Sequence, residues 1–249
     1  MSLLDYFSES GRRLCRFEKK STYTKNIFSR HIRKKAIKVV FELGSRDIKD
    51  ALAINRHYRP QQIYVFECNP AAIKLCEDNL RGYSRFAGNI SLIPKAVWNE
   101  NKKIEFYSVV KSYSKDNPSN TAVNIGASSC FAADISLGEE MQWEKIEVEA
   151  VRLEDFCRQR DIPRIDLICM DLQGAEYNAL SGLGDRLKDV HYIITEAEIE
   201  PVFHGEVCLE GLKKYLHRFN FELADSFMEH KLFGNFLFIN RSPTKLLNA

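Results

Sequence analysis

The chain has 249 residues, enough for one large α/β domain or one domain with a small appendage. With 45% hydrophobic and 28% charged residues it has a globular balance, which argues against disorder. No apolar run reaches the roughly 18–20 residues of a membrane span, and Met1 to Gly11 lacks the apolar stretch of a signal peptide, so a cytoplasmic location is expected.

The net charge of +2 hides an asymmetry: residues 1–38 hold eleven Lys/Arg against three Asp/Glu, and the remainder holds 25 against 31. Residues 1–35 read as a basic helical cap, with Tyr6, Phe7, Leu14 and Phe17 as apolar anchors. Residues 36–249 read as the main domain. Ile37 to Leu43 is the first strand, β-branched and apolar, and it ends at Gly44. A helix follows over 48–58, with Ile48, Ala51, Leu52, Asn55 and Tyr58 at helical spacings. Ile63 to Glu67 is the second strand. Asn69-Pro70 then starts a helix, Asn as N-cap and Pro at the first position.

Ile90 to Val97 reads as a third strand and Ile104 to Val110 as a fourth. Between Lys111 and Glu144 the strand signal fails in a stretch rich in Ser, Asn, Lys and Gly; a loop of that length is usually functional. Ile146 to Val151 alternates as a strand. Ile165 to Met170 is a strongly apolar strand ending at Asp171, followed by a helix over about 175–187. Val190 to Thr195 is a strand ending at Glu196. Leu209 to Phe219 is an amphipathic helix, and Phe221 to Phe227 and Asn235 to Asn240 close the chain as two strands. Seven cysteines, odd in number and without C-x-x-C or zinc spacing, read as free thiols in a reducing compartment.

The chemistry is expected at strand ends. Glu67 follows Gly44 by 23 residues, the length of one crossover helix between two parallel strands. A glycine turn lets backbone approach a bulky ligand, and an acid at the next strand end can accept hydrogen bonds from a ribose diol. Glu42, Glu67, Asp171 and Glu196 then share one edge of an open α/β sheet, the edge where such sheets bind ligands. The turn Gly44-Ser45-Arg46-Asp47 has a single glycine and an acid that would oppose a pyrophosphate. That disfavours a nicotinamide cofactor and suits S-adenosylmethionine, which carries a sulfonium and no phosphate. Aromatic residues do not interleave with the basic arm, and an N-P-P-Y-type motif is absent, so nucleic acid is not the expected partner.

Five segments in order resemble the FkbM-type methyltransferases, a branch of the class I S-adenosylmethionine-dependent enzymes. Phe41-Glu42-Leu43-Gly44-Ser45 is similar to F-D-I-G-A, and Val65-Phe66-Glu67-Cys68-Asn69-Pro70 to F-E-P-x-P. Lys95-Ala96-Val97 is similar to K-A-V, and Val151 to Phe156 to T-L-D-D-F. Ile165-Asp166-Leu167-Ile168-Cys169-Met170-Asp171-Leu172-Gln173-Gly174-Ala175-Glu176 is similar to I-D-L-L-K-I-D-V-E-G-A-E. The resemblance implies a doubly wound, mostly parallel, seven-stranded Rossmann-like sheet whose last strand is antiparallel. The extra strands and loop of about 104–151 would build the acceptor side.

It also implies roles. Glu42, Leu43 and the turn of Gly44, Ser45 and Asp47 would hold the methionine end of the cofactor. Glu67 would bind the ribose, with Cys68 and Asn69 beside the adenosine and Ala96 and Val97 flanking the adenine. Asp171 would face the methyl group or the acceptor, and Asp171 and Leu172 would also touch the cofactor. Asp171, Glu196 and His204 are the candidates for removing a proton from a hydroxyl acceptor on a sugar or on a glycosylated or polyketide-like metabolite. Carboxylates suit magnesium, but nothing in the spacing demands a metal and none is assigned. A homo-oligomer is left open. Ser45-Arg46 and Gln173 depart from the family pattern, and they keep open a second reading: a protein that retains the fold as a binding or scaffold module without catalysis.

Overall fold

The computed structural model describes residues 21–114, 123–132 and 139–242. Seven strands form the main sheet: β1 (Val39–Leu43), β2 (Gln62–Phe66), β3 (Ile90–Ile93), β7 (Leu167–Met170), β8 (Tyr192–Glu198), β9 (Phe221–Met228) and β10 (Phe233–Asn240). Their order is β3-β2-β1-β7-β8-β10-β9. β1, β2, β3, β7 and β8 pair in parallel, and β10 runs antiparallel to both neighbours. This is the doubly wound sheet with an antiparallel last strand that the sequence implies.

Side-chain alternation sends each strand's apolar residues to two faces. Phe41, Tyr64, Phe66, Ile168, Met170 and Ile193 pack on one face. There they meet α4 (Leu153–Gln159), α5 (Glu176–Ser181) and α6 (Leu209–His217) through Leu153, Phe156, Ala179, Leu180, Leu212 and Leu216. Val40, Ile63, Val65, Leu167, Cys169 and Ile194 face the other side. They meet α1 (Asn26–Ser29), α2 (Lys49–Tyr58) and α3 (Pro70–Gly82) through Phe28, Leu52, Ile54, Tyr58 and Cys76. Near-continuous apolar strands are what a sheet covered on both faces requires.

Three local expectations change. The strand read over Ile90 to Val97 is broken by Pro94, which has no N–H for the ladder. β3 stops at Ile93, and β4 (Ala96–Trp98) joins a separate three-stranded sheet with β5 (Lys102–Ser114) and β6 (Glu139–Arg152), in the order β4-β6-β5. β5 and β6 pair antiparallel well into the stretch where the sequence signal fails; polar side chains are compatible with a ribbon that has one solvated face. The helix read over 175–187 ends at Ser181 and gives way to a 3₁₀ segment, Gly184–Asp189. A side chain on Gly182 would lie 2.4 Å from the Trp98 carbonyl oxygen, so glycine permits the close approach of this helix end to β4.

Of the basic N-terminal segment, residues 21–36 hold short helical turns, not one long helix. Tyr23, Phe28 and Ile32 are buried against the second face, and the Tyr58 hydroxyl donates to the Tyr23 carbonyl at 3.0 Å. Tyr6, Phe7, Leu14 and Phe17 lie outside the described residues. The six described cysteines are free thiols; Cys76, Cys157 and Cys169 are buried. Among the described residues no helix is long and apolar enough to cross a membrane.

Candidate active site

A cavity of about 510 Å³ opens at the carboxyl ends of the parallel strands. Of the residues singled out in the sequence, Gly44, Ser45, Glu67, Cys68, Asn69, Ala96, Val97, Asp171, Leu172 and Glu196 line it. Glu42, Leu43, Asp47 and His204 do not. Leu43 points into the core and is fully buried. Glu42 is buried behind the cavity wall. It accepts the Ser45 hydroxyl at 3.0 Å, while its Oε2 has no partner, and burial pushes its carboxyl well above the ordinary range. Asp47 turns outward to Lys49 at 2.6 Å, and its carbonyl accepts from Asn79 on α3. His204 is exposed, and its backbone N–H donates to the Ala132 carbonyl.

The first strand end is fastened to the second. Gly44 adopts φ 80°, and a Cβ there would lie 2.0 Å from the Asp171 carbonyl oxygen, so only glycine lets the tips of β1 and β7 lie together. Glu67 holds three backbone N–H donors: Arg46 on Oε2, and Cys68 and Asn69 on Oε1, each at 2.8 Å. Burial raises its carboxyl, and those three donors work against the rise. Asn69 caps α3 as expected, accepting from the Ala71 N–H at 3.0 Å. Its amide also donates to the Ser128 hydroxyl at 3.0 Å, which holds the segment 123–132 beside the cavity.

The strands β5 and β6 pack against Ala96 and Cys68, at the end of the cavity where the resemblance places the nucleoside. Phe106 and Met141 from these strands line the cavity, as do Asn124 to Ser128 and Cys130. The other end gathers acids. Asp171, Glu196, Glu198 and Glu229 line it with Gln173, Phe203, His230 and Phe233. His230 stacks on Phe233 at 5.4 Å between ring centroids. Burial, then Asp171 and Glu198, pushes Glu196 up to about 10. Burial, then Glu206, pushes Glu198 up to about 8. Burial raises Asp171 too, but only to about 6, because the Gln173 amide and Arg46 work against it. Glu198, Glu229, His230 and Phe233 carry no sequence motif; two neighbouring strand ends and a hairpin bring them together.

The sulfonium and amino groups of S-adenosylmethionine suit this acidic, glycine-turned cavity, and a ribose suits Glu67, whose two oxygens keep acceptor capacity beyond their three N–H bonds. Such a site on such a sheet defines an S-adenosylmethionine-dependent methyltransferase. Residues 43–233 match the Methyltransferase FkbM domain, and the chain belongs to that family. It is 28% identical, over 193 residues, to the 2-O-methyltransferase NoeI of Sinorhizobium fredii (strain NBRC 101917 / NGR234), covering 76% of this chain and 74% of that one. The solved structure of Methyltransferase FkbM from Methylobacillus flagellatus KT superposes with a TM-score of 0.58 at 11% identity. The match covers 90% of this chain and 47% of that longer one, and it shows the shared fold.

Proposed function

We propose that this methyltransferase acts on a hydroxyl group of a sugar, or of a glycosylated or polyketide-like metabolite. The observation that carries the reading is the pair of carboxyl groups inside one cavity, Asp171 just beyond the end of β7 and Glu196 on the neighbouring strand β8. Bound S-adenosylmethionine supplies the electrophilic methyl group. Glu67, Cys68, Asn69, Ala96 and Val97 hold its nucleoside, and the Gly44-Ser45 turn its other end. Methyl transfer is a displacement in line, so the chain's main task is alignment. A hydroxyl must also lose its proton, and Asp171 is the group placed to receive it.

Two features support a neutral polyol over an anion. Four carboxyl groups gather at the acceptor end, and Asp171, ionised at neutral pH, disfavours a phosphate or carboxylate beside it. The stacked His230 and Phe233 present a flat face of the kind that sugar C–H groups cover. The name of the relative, a 2-O-methyltransferase, points the same way.

The test is turnover with methyl-labelled S-adenosylmethionine against methyl hexopyranosides, uronic acids, sugar phosphates and simple amines. Label in a neutral glycoside is the expected result. Label only in amines or anions overturns the reading. Binding of S-adenosylhomocysteine without turnover of any acceptor supports the scaffold alternative.

A further inference from the structure

Gln173 occupies the junction between two strand ends. After β7 the chain turns through Gln173 and Gly174, both with left-handed backbone (φ 51° and 96°), before entering α5. Leu172 N–H donates to Glu176 Oε1 at 2.7 Å and closes the turn. The Gln173 side chain then lies back across the sheet edge. Its Nε2 donates to Asp171 Oδ1 at 2.6 Å and to Glu196 Oε1 at 3.2 Å, and its backbone carbonyl accepts the Ser129 hydroxyl at 2.6 Å.

An amide nitrogen has two hydrogens, and here each meets one carboxyl. The amide oxygen in that place would face Asp171, which accepts only when ionised, so Asp171 fixes the amide's orientation. A glutamate in this position, as the family pattern has it, offers no donor when ionised and would make a third acid of the pair.

We propose that Gln173 is a positioning residue that ties Asp171 to Glu196 and makes Asp171 the member of the pair that receives the acceptor's proton. The proposal rests on the hydroxyl-methylation reading. The hydroxyl O–H bond breaks towards Asp171, its electron pair forms the new O–C bond, and the S–C electrons leave with sulfur. The proton then passes from Asp171 to solvent. Glu196, protonated at neutral pH by its surroundings, keeps a hydrogen to donate to the acceptor. The charged and titratable groups acting on the pair are Arg46 from the β1 turn, Asp50 from α2, Glu176 from α5, Glu198 from β8 and Glu229 from the β9–β10 hairpin. Tyr23 also lies within reach of Asp171. Of these only Arg46 favours the ionised form of Asp171, so the amide hydrogen bond is its other support.

The experiment is a carboxyl-carbon NMR titration of the full chain saturated with S-adenosylhomocysteine. The Asp171 signal is identified by its loss in Asp171→Asn. It is expected to titrate near pH 6 in the native protein. In Gln173→Met, which keeps the bulk and removes both donors, the midpoint is expected to rise by about one unit or more. Gln173→Glu preserves the shape and is expected to raise it as well. An unchanged midpoint in either variant, with a cooperative thermal melt, overturns the proposal; if the Met variant does not fold, the Glu variant decides. The titration needs no acceptor. A glycoside panel that fails therefore sinks the functional reading and is distinguishable from a failure here.

Discussion

The two ends of the cavity are built differently. The end proposed for the cofactor is held largely by backbone: three N–H groups on Glu67, a cap at Asn69, and a glycine contact between strand tips at Gly44. The end proposed for the acceptor is held by side chains facing one another, with one amide between two carboxyls and further acids behind them. A ligand common to a whole class is gripped by features that the fold supplies wherever its strands end. A ligand that differs between members is met by side chains on loops and hairpins, which change without disturbing the sheet.

Substitutions at the two ends sharpen this contrast. Gly44→Ala has the largest expected effect, because the added carbon meets the Asp171 carbonyl and the backbone is left-handed. A loss of about 2–3 kcal/mol in stability is expected, together with loss of S-adenosylhomocysteine binding. A thermal melt and calorimetry matching the native protein would show that the strand tips are not rigidly joined. Glu67→Ala leaves three N–H groups without their acceptor. S-adenosylhomocysteine affinity is expected to fall about 100-fold, about 2.7 kcal/mol. Unchanged affinity in a folded variant would remove Glu67 from the site. Phe233→Ala should do least: about tenfold in KM for the preferred glycoside, about 1.4 kcal/mol, with S-adenosylhomocysteine affinity unchanged. Equal loss for both ligands would mean that the two ends are not separable.

The contrast also explains what was legible in the sequence. Strands β1, β2 and β7 announce themselves because burial on both faces makes them continuously apolar, and their ends carry Gly44, Glu67 and Asp171 into the cavity. The family-like segment Phe41-Glu42-Leu43-Gly44 points to Glu42 as a binding residue. Alternation along the strand instead turns it behind the wall, where it braces Ser45. Asp47 is in the right turn but is taken outward by Lys49. His204 is close in sequence to Phe203, which lines the cavity, yet it stays exposed. Glu198, two residues beyond Glu196 on the same strand, could have been found by period-two counting from the strand end. Glu229, His230 and Phe233 could not, because only the pairing of β10 with β8 brings that hairpin to the site. Pro94 was a visible signal for the break between β3 and β4.

The segment 123–132 touches both ends at once. Ser128 takes the Asn69 amide on the cofactor side, and its neighbour Ser129 donates to the Gln173 carbonyl on the acceptor side. Ligands bound at the two ends would share this wall, so coupling between them would have a path through two adjacent serines. Whatever factor the donor imposes on acceptor affinity, the acceptor imposes on donor affinity.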